Sequence, residues 1–242
     1  MQYPKLQFLI DARKDISTFF SFIEDARYDD GRNLEWAIFK HYPFLRSNFK
    51  GVKFIGKEAD IEKFVLDQYE EKRLIAEKNM ALYAKQWFER EKTFYTLVKE
   101  LFPKTTWPEG KYIVYPTIWS MYPRFLEDKT FQVPLQTEKK RYVNVIIAHE
   151  MLHFIFYEYF FQSYPQYADE DHEFFAWHVS EILNTIIQNS SRWMNVFELE
   201  TMGYPEHEAI VKMLSEKHIV SEKFNTDVLI TDIVSEVKKL SE

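Results

Sequence analysis

From Lys57 to Phe102 the chain contains neither glycine nor proline. No other feature narrows the fold as far, because these two residues are the usual breakers of a helix and openers of a tight turn. Apolar residues recur through the stretch at roughly helical spacing, among them Ile61, Val65, Tyr69, Tyr83, Trp87 and Phe102, and charges fill the other face. The pattern predicts one very long helix, or two broken without a sequence signal. The scarcity is general, since the 242 residues include only 5 Gly and 9 Pro. Sandwiches, barrels and propellers depend on tight turns and need more glycine than that. Aromatic residues make up 18% of the chain, enough bulk for a packed core, which excludes disorder over most of its length. The expected class is mainly α with a small β element (α+β).

Other segments read less uniformly. Residues 11–27 predict a helix, and Asp29-Asp30-Gly31 a turn. Asn33 is placed to cap a short helix that Pro43 stops after about Tyr42. Gly51 and Gly56 bracket a short apolar run that reads as a strand. The texture changes at Pro103. Tyr112 to Thr117 and Thr130 to Pro134 are β-rich, and each contains or ends at a proline, which suits edge strands or strand ends. Residues 118–128 read as the loop between them. Helices are expected over 142–162, over about 169–189, from Pro205, and from Asn225 or Thr226. This reading divides the chain into a helical N-terminal region (1–105), a central core (106–195) and a helical C-terminal region (196–242), together forming one compact unit.

Whole classes of function fall away on composition. There is no cysteine, so disulfide scaffolds, Cys-ligated zinc, iron–sulfur clusters and cysteine nucleophiles are excluded. The net charge of −7 argues against nucleic acid as the main partner, and Lys139-Lys140-Arg141 is too short to make a binding stripe. The first residues contain no apolar signal-peptide core. The most apolar stretch, Val143 to Phe161, is interrupted by His149, Glu150, His153 and Glu158, so it is not a plain membrane span. The expectation is a cytoplasmic protein with neither a nucleic-acid nor a membrane partner.

One motif carries chemistry: His149-Glu150-Met151-Leu152-His153, the pattern H-E-x-x-H, inside a predicted helix. Residues four apart share a helix face, so both imidazoles can reach one metal ion. Glu150 projects beside the open coordination position, where it can take a proton from water. The helix is apolar nearly all round, so it is buried. Two histidines and a glutamate inside such a helix are costly without partners, and a metal ion satisfies all three.

On these residues the chain resembles the zincin metallopeptidases over about residues 110–190. The family places an HExxH helix against a small sheet and holds one zinc ion through the two histidines and a third ligand. The metzincin extension HExxHxxGxxH is excluded, because Phe156 and Tyr159 stand at its Gly and final His positions. The gluzincin-like arrangement, with a Glu from a following helix, remains. The resemblance implies zinc-dependent peptide-bond hydrolysis of a peptide or protein substrate, with His149 and His153 as ligands and Glu150 as general base. It also implies an oxyanion donor outside the motif, for which Tyr204 and His207 are candidates, as are Tyr122 and Arg124. A strand at 112–117 or 130–134 would then act as the edge on which an extended peptide lies.

The following helix offers His172, Glu173, His178 and Glu181 as third ligands, besides Asp169, Glu170 and Asp171 at its start. If the two helices form an antiparallel hairpin turning near residue 165, His149 and Glu181 lie equally far from the turn. At about 1.5 Å per residue they stand at the same height. That argument ranks Glu181 first, His178 next and Glu173 third. With Glu181 as ligand, His178 and Asn184 become candidate supporting contacts. Two other patterns are weaker. Gly51 to Lys57 mimics a phosphate-binding loop, but Glu58 stands where Ser or Thr is required. Glu150-x-x-His153 is half of a di-iron bundle signature, whose second Glu-x-x-His is missing. A carboxylate–histidine oxidoreductase, and a non-catalytic module with a structural zinc, are the alternative readings.

Overall fold

The computed structural model describes residues 3–24, 34–169, 172–218 and 225–240. In chain order the elements are β1 (Leu6–Phe8), α1 (Ala12–Glu24), a π-helical turn (Glu35–Phe39), a 3-10 turn (Pro43–Asn48), β2 (Phe49–Lys50) and β3 (Lys53–Phe54). Then follow α2 (Glu58–Glu71), α3 (Arg73–Phe88), α4 (Glu91–Leu101), β4 (Tyr112–Thr117), β5 (Arg124–Phe125) and β6 (Thr130–Pro134). The remainder is helical: α5 (Tyr142–Ser163), α6 (Glu173–Gln188), α7 (Ser191–Phe197), α8 (Glu208–His218) and α9 (Thr226–Leu240), with short 3-10 turns at Pro165–Tyr167 and Pro205–His207. The expected turn at Asp29-Asp30-Gly31 and the cap at Asn33 lie outside the described residues, as do Glu170 and Asp171.

The chain divides into two compact units whose segments interleave. One comprises Lys5–Lys85 and Gly110–Lys140, the other Met1–Pro4, Gln86–Glu109 and Arg141–Glu242. The division differs from boundaries at 105 and 195, because β1 joins a strand more than a hundred residues downstream and draws the N-terminal helices into that strand's unit.

In the first unit the sheet order is β1-β4-β6-β5. β1 pairs in parallel with β4 from Leu6↔Tyr112 to Phe8↔Val114, β4 pairs in parallel with β6, and β5 is antiparallel to β6. The strands at 112–117 and 130–134 are therefore internal, and the edges are β1 and the two-residue β5. This corrects the edge-strand expectation. The prolines are accommodated in two ways: Pro116 lies inside β4, paired with Val133 of β6 but past the reach of β1, and Pro134 closes β6. Every residue of β6 is buried, as befits a strand covered on both faces. Helices α1 and α2, the π-helical turn and the loop after β4 close a core around Phe19, Ile38, Ile61, Val65 and Trp119. The 51–56 run folds as a tight hairpin of β2 and β3, with Gly51 left-handed at φ 64°, and not as a single strand.

The glycine-free stretch forms three helices instead of one or two. Lys72, at φ −100° and ψ 10°, interrupts the path between α2 and α3 while backbone hydrogen bonds continue across it. Arg90 separates α3 from α4.

The second unit is built on α5, which is buried over most of its circumference. The Pro165–Tyr167 turn reverses the chain into α6, and α6 packs on α5, α8 and α9. Aromatic contacts fill this core. Phe156 stacks on Phe160 at 5.1 Å, and Phe94 meets Trp193 edge-on at 5.6 Å. No helix among the described residues is long and apolar enough to cross a membrane.

Candidate metal centre

The centre lies in the second unit, between α5 and α6. The i, i+4 spacing turns His149 and His153 to the same side of α5, with their Nε2 atoms 3.0 Å apart. Glu181 arrives from α6 at the height the hairpin requires. Its Oε2 lies 3.1 Å from His149 Nε2 and its Oε1 3.4 Å from His153 Nε2. The three side chains form a group able to hold a metal ion, with donor atoms all within 4.8 Å of one another. His153 is fully buried and the Glu181 side chain is 5% exposed, whereas His149 keeps 17% exposure. The centre therefore opens to solvent on the His149 side.

The surrounding hydrogen bonds identify which ring nitrogen of His149 is free to coordinate. Gln188 donates its Nε2 hydrogens to the Val145 carbonyl at 3.1 Å, which turns its Oε1 toward His149 Nδ1 at 2.9 Å. An amide oxygen only accepts, so Nδ1 carries the proton and neutral His149 presents a lone pair at Nε2. That lone pair, a second imidazole nitrogen and a carboxylate converge on one point. Such an arrangement repels itself unless a cation sits between them, so the donor set fits a metal ion. Burial lowers the His149 pKa, but the Glu181 charge, its hydrogen bond, Glu150 and Gln188 raise it further, to about 9. Burial opposes ionisation of Glu181 too, yet the two histidines hold its carboxyl well below the usual range.

Glu150 follows His149 directly, is 6% exposed, and bears on His149 through its charge. Asn184, one turn after Glu181, donates to the His149 carbonyl at 3.2 Å and ties α6 to the motif. Gln188 was not anticipated from the sequence. The signal was present: it stands two helical turns past Glu181, on the same face.

The other candidates lie elsewhere. His172 pairs with Asp169 at 2.6 Å, and Glu173 is exposed at the start of α6. Neither belongs to the three-residue group. His178 Nδ1 contacts His207 Nε2 at 2.6 Å, and Trp177 and Tyr204 pack beside them. His207 is 1% exposed and Tyr204 43%. This histidine pair sits one turn of α6 before Glu181, near enough for the Glu181 charge to act on both rings. Burial nevertheless lowers both pKa values. Arg124 opens β5 and Tyr122 lines a cleft, both in the first unit. Compared with family models, with curated proteins and with solved structures, the chain matches none.

Proposed function

We propose that the protein is a zinc-dependent hydrolase of peptide bonds, similar in its centre to the gluzincin-like zincins. The observation that carries the reading is the convergence of His149 Nε2, His153 Nε2 and the Glu181 carboxylate, with the buried Glu150 next in sequence to the exposed-side ligand. These three side chains would hold the ion, and Gln188 would keep His149 in the coordinating tautomer. Zinc, when bound, supplies Lewis acidity toward the scissile carbonyl and brings the pKa of water toward neutrality. The Glu150 carboxylate accepts a proton from the attacking water and returns it to the leaving amine nitrogen. His207, in contact with His178, and Tyr204 beside it would be the candidate donors to the developing oxyanion.

The test is metal analysis by mass spectrometry together with peptide cleavage. About one zinc per chain is expected, abolished by His149→Ala. Glu150→Gln should keep the zinc and lose cleavage by roughly 10²- to 10⁴-fold. Two irons per chain would replace this reading with an oxidoreductase. A retained zinc without hydrolysis would replace it with a structural site. No metal after reconstitution would remove the centre altogether.

A further inference from the structure

The first unit contains an open cleft of about 880 Å³ that the metal centre does not use. It lies at the carboxyl ends of β4 and β6, whose last residues, Thr117 and Pro134, are part of its lining. Adjacent parallel strands open onto loops at this end, and in open α/β sheets ligands bind there. The volume falls within the range of small-molecule sites.

The lining is specific in charge. Lys72, Lys78, Lys139 and Lys140 face the cleft against one carboxylate, Glu138, which leaves a local excess of three positive charges in a chain of net charge −7. Among the described residues no ion pair neutralises Lys78, Lys139 or Lys140. Lys72 is held in place, donating to Gln68 Oε1 at 2.7 Å and to the Tyr42 hydroxyl at 3.3 Å, with one ammonium hydrogen left over. Desolvation lowers its pKa, and neighbouring Glu71 opposes this. Lys72 is itself the irregular residue between α2 and α3. The remaining lining mixes polar side chains such as Asn79, Ser120 and Gln136 with an apolar part, where Tyr42 meets Trp119 edge-on at 5.6 Å and Ile75 is 40% exposed.

We propose that this cleft binds a small organic phosphate of the nucleoside diphosphate class. The phosphates would rest on the lysines and the ring on the Tyr42–Ile75 wall. A single carboxylate ligand would leave most of the positive charge unanswered, whereas a diphosphate carries about three negative charges at neutral pH. A nucleic-acid strand would need a basic stripe continuing beyond the cleft, and the rest of this acidic chain argues against one.

The experiment is calorimetric titration of the full-length, EDTA-treated chain with ADP, pyrophosphate, adenosine and an acidic hexapeptide. ADP is expected to bind more tightly than the other three. The double variant Lys139→Ala/Lys140→Ala, both in the lining, should weaken ADP roughly tenfold or more with an unchanged circular dichroism spectrum. Lys78→Ala should weaken it independently. Glu181→Gln should leave it unchanged, which separates the cleft from the metal centre. ADP binding unaffected by the lysine variants would overturn the proposal. So would absence of ADP binding at about 1 mM, the weak end of specific affinity, or tighter binding of the hexapeptide.

Discussion

Asp15, on α1, is fully buried in the first unit and offers a test of how that unit is held together. Its Oδ2 accepts from the Ile118 backbone N–H at 2.8 Å and its Oδ1 from Gln132 Nε2 at 2.7 Å. The Tyr69 hydroxyl lies 3.0 Å from Oδ2 but only 2.6 Å from the Pro116 carbonyl, and it has one proton for the two acceptors. Desolvation outweighs the hydrogen bonds from Ile118, Thr117, Tyr69 and Gln132, and raises the Asp15 pKa from 3.8 to about 6. The folded state thus binds this proton more tightly than the unfolded chain does. The resulting stabilisation is complete below pH 3.8 and is lost as pH rises through about 6. A shift of about two units corresponds to about 3 kcal/mol. Asp15→Asn keeps the shape and has no charge to desolvate. Its amide requires Gln132 to turn over so that Oε1 accepts, and the Thr18 hydroxyl, now donating to Gln132 at 2.8 Å, can accept in return. Relative to the parent, the variant should therefore gain about 3 kcal/mol between pH 3 and pH 7. Amide exchange across residues 112–119, corrected for intrinsic rates, reads this unit directly. Parallel pH profiles for parent and variant would refute the reasoning.

Four further outcomes follow from the second unit. Gln188→Leu removes the acceptor that fixes His149 Nδ1–H and should weaken metal binding by about 10- to 100-fold, measured by competition with a chromophoric chelator; unchanged affinity would mean the tautomer is set elsewhere. Glu181→Gln should weaken metal at least as much, and full retention of affinity would transfer the third-ligand role to another side chain. At a free metal concentration about 100-fold above Kd, saturation should stabilise the folded chain by about 3 kcal/mol, so chelation should lower the unfolding temperature; an identical transition with and without chelator would count against the centre. Phe156→Ala, at a fully buried position stacked on Phe160, should cost about 3–5 kcal/mol in urea denaturation, and a loss below about 1 kcal/mol would show that α5 repacks freely.

Local order was legible where a physical signal is local. The spacing of His149 and His153 places both rings on one helix face wherever that helix goes. The length of the α5–α6 hairpin then brings Glu181 level with them. The helical character of 57–102 and of the tail follows in the same way from missing breakers and apolar periodicity. Tertiary packing decided what depends on partners distant in sequence. A three-residue strand such as Leu6–Phe8 has no periodicity to read, yet its pairing with Tyr112–Val114 makes β4 internal and pulls the N-terminal helices into a unit separate from the metal centre. The break at Lys72 has no breaker residue behind it, and the side chain there is fixed by contacts with Gln68 and Tyr42. Nothing within the 11–27 segment itself marks Asp15 as buried. Only the arrival of Ile118, Tyr69 and Gln132, from 54 to 117 residues away, makes it a buried acid with a displaced pKa. The difference is one of range: helix geometry repeats within a few residues, whereas burial and strand order belong to whichever distant segments meet.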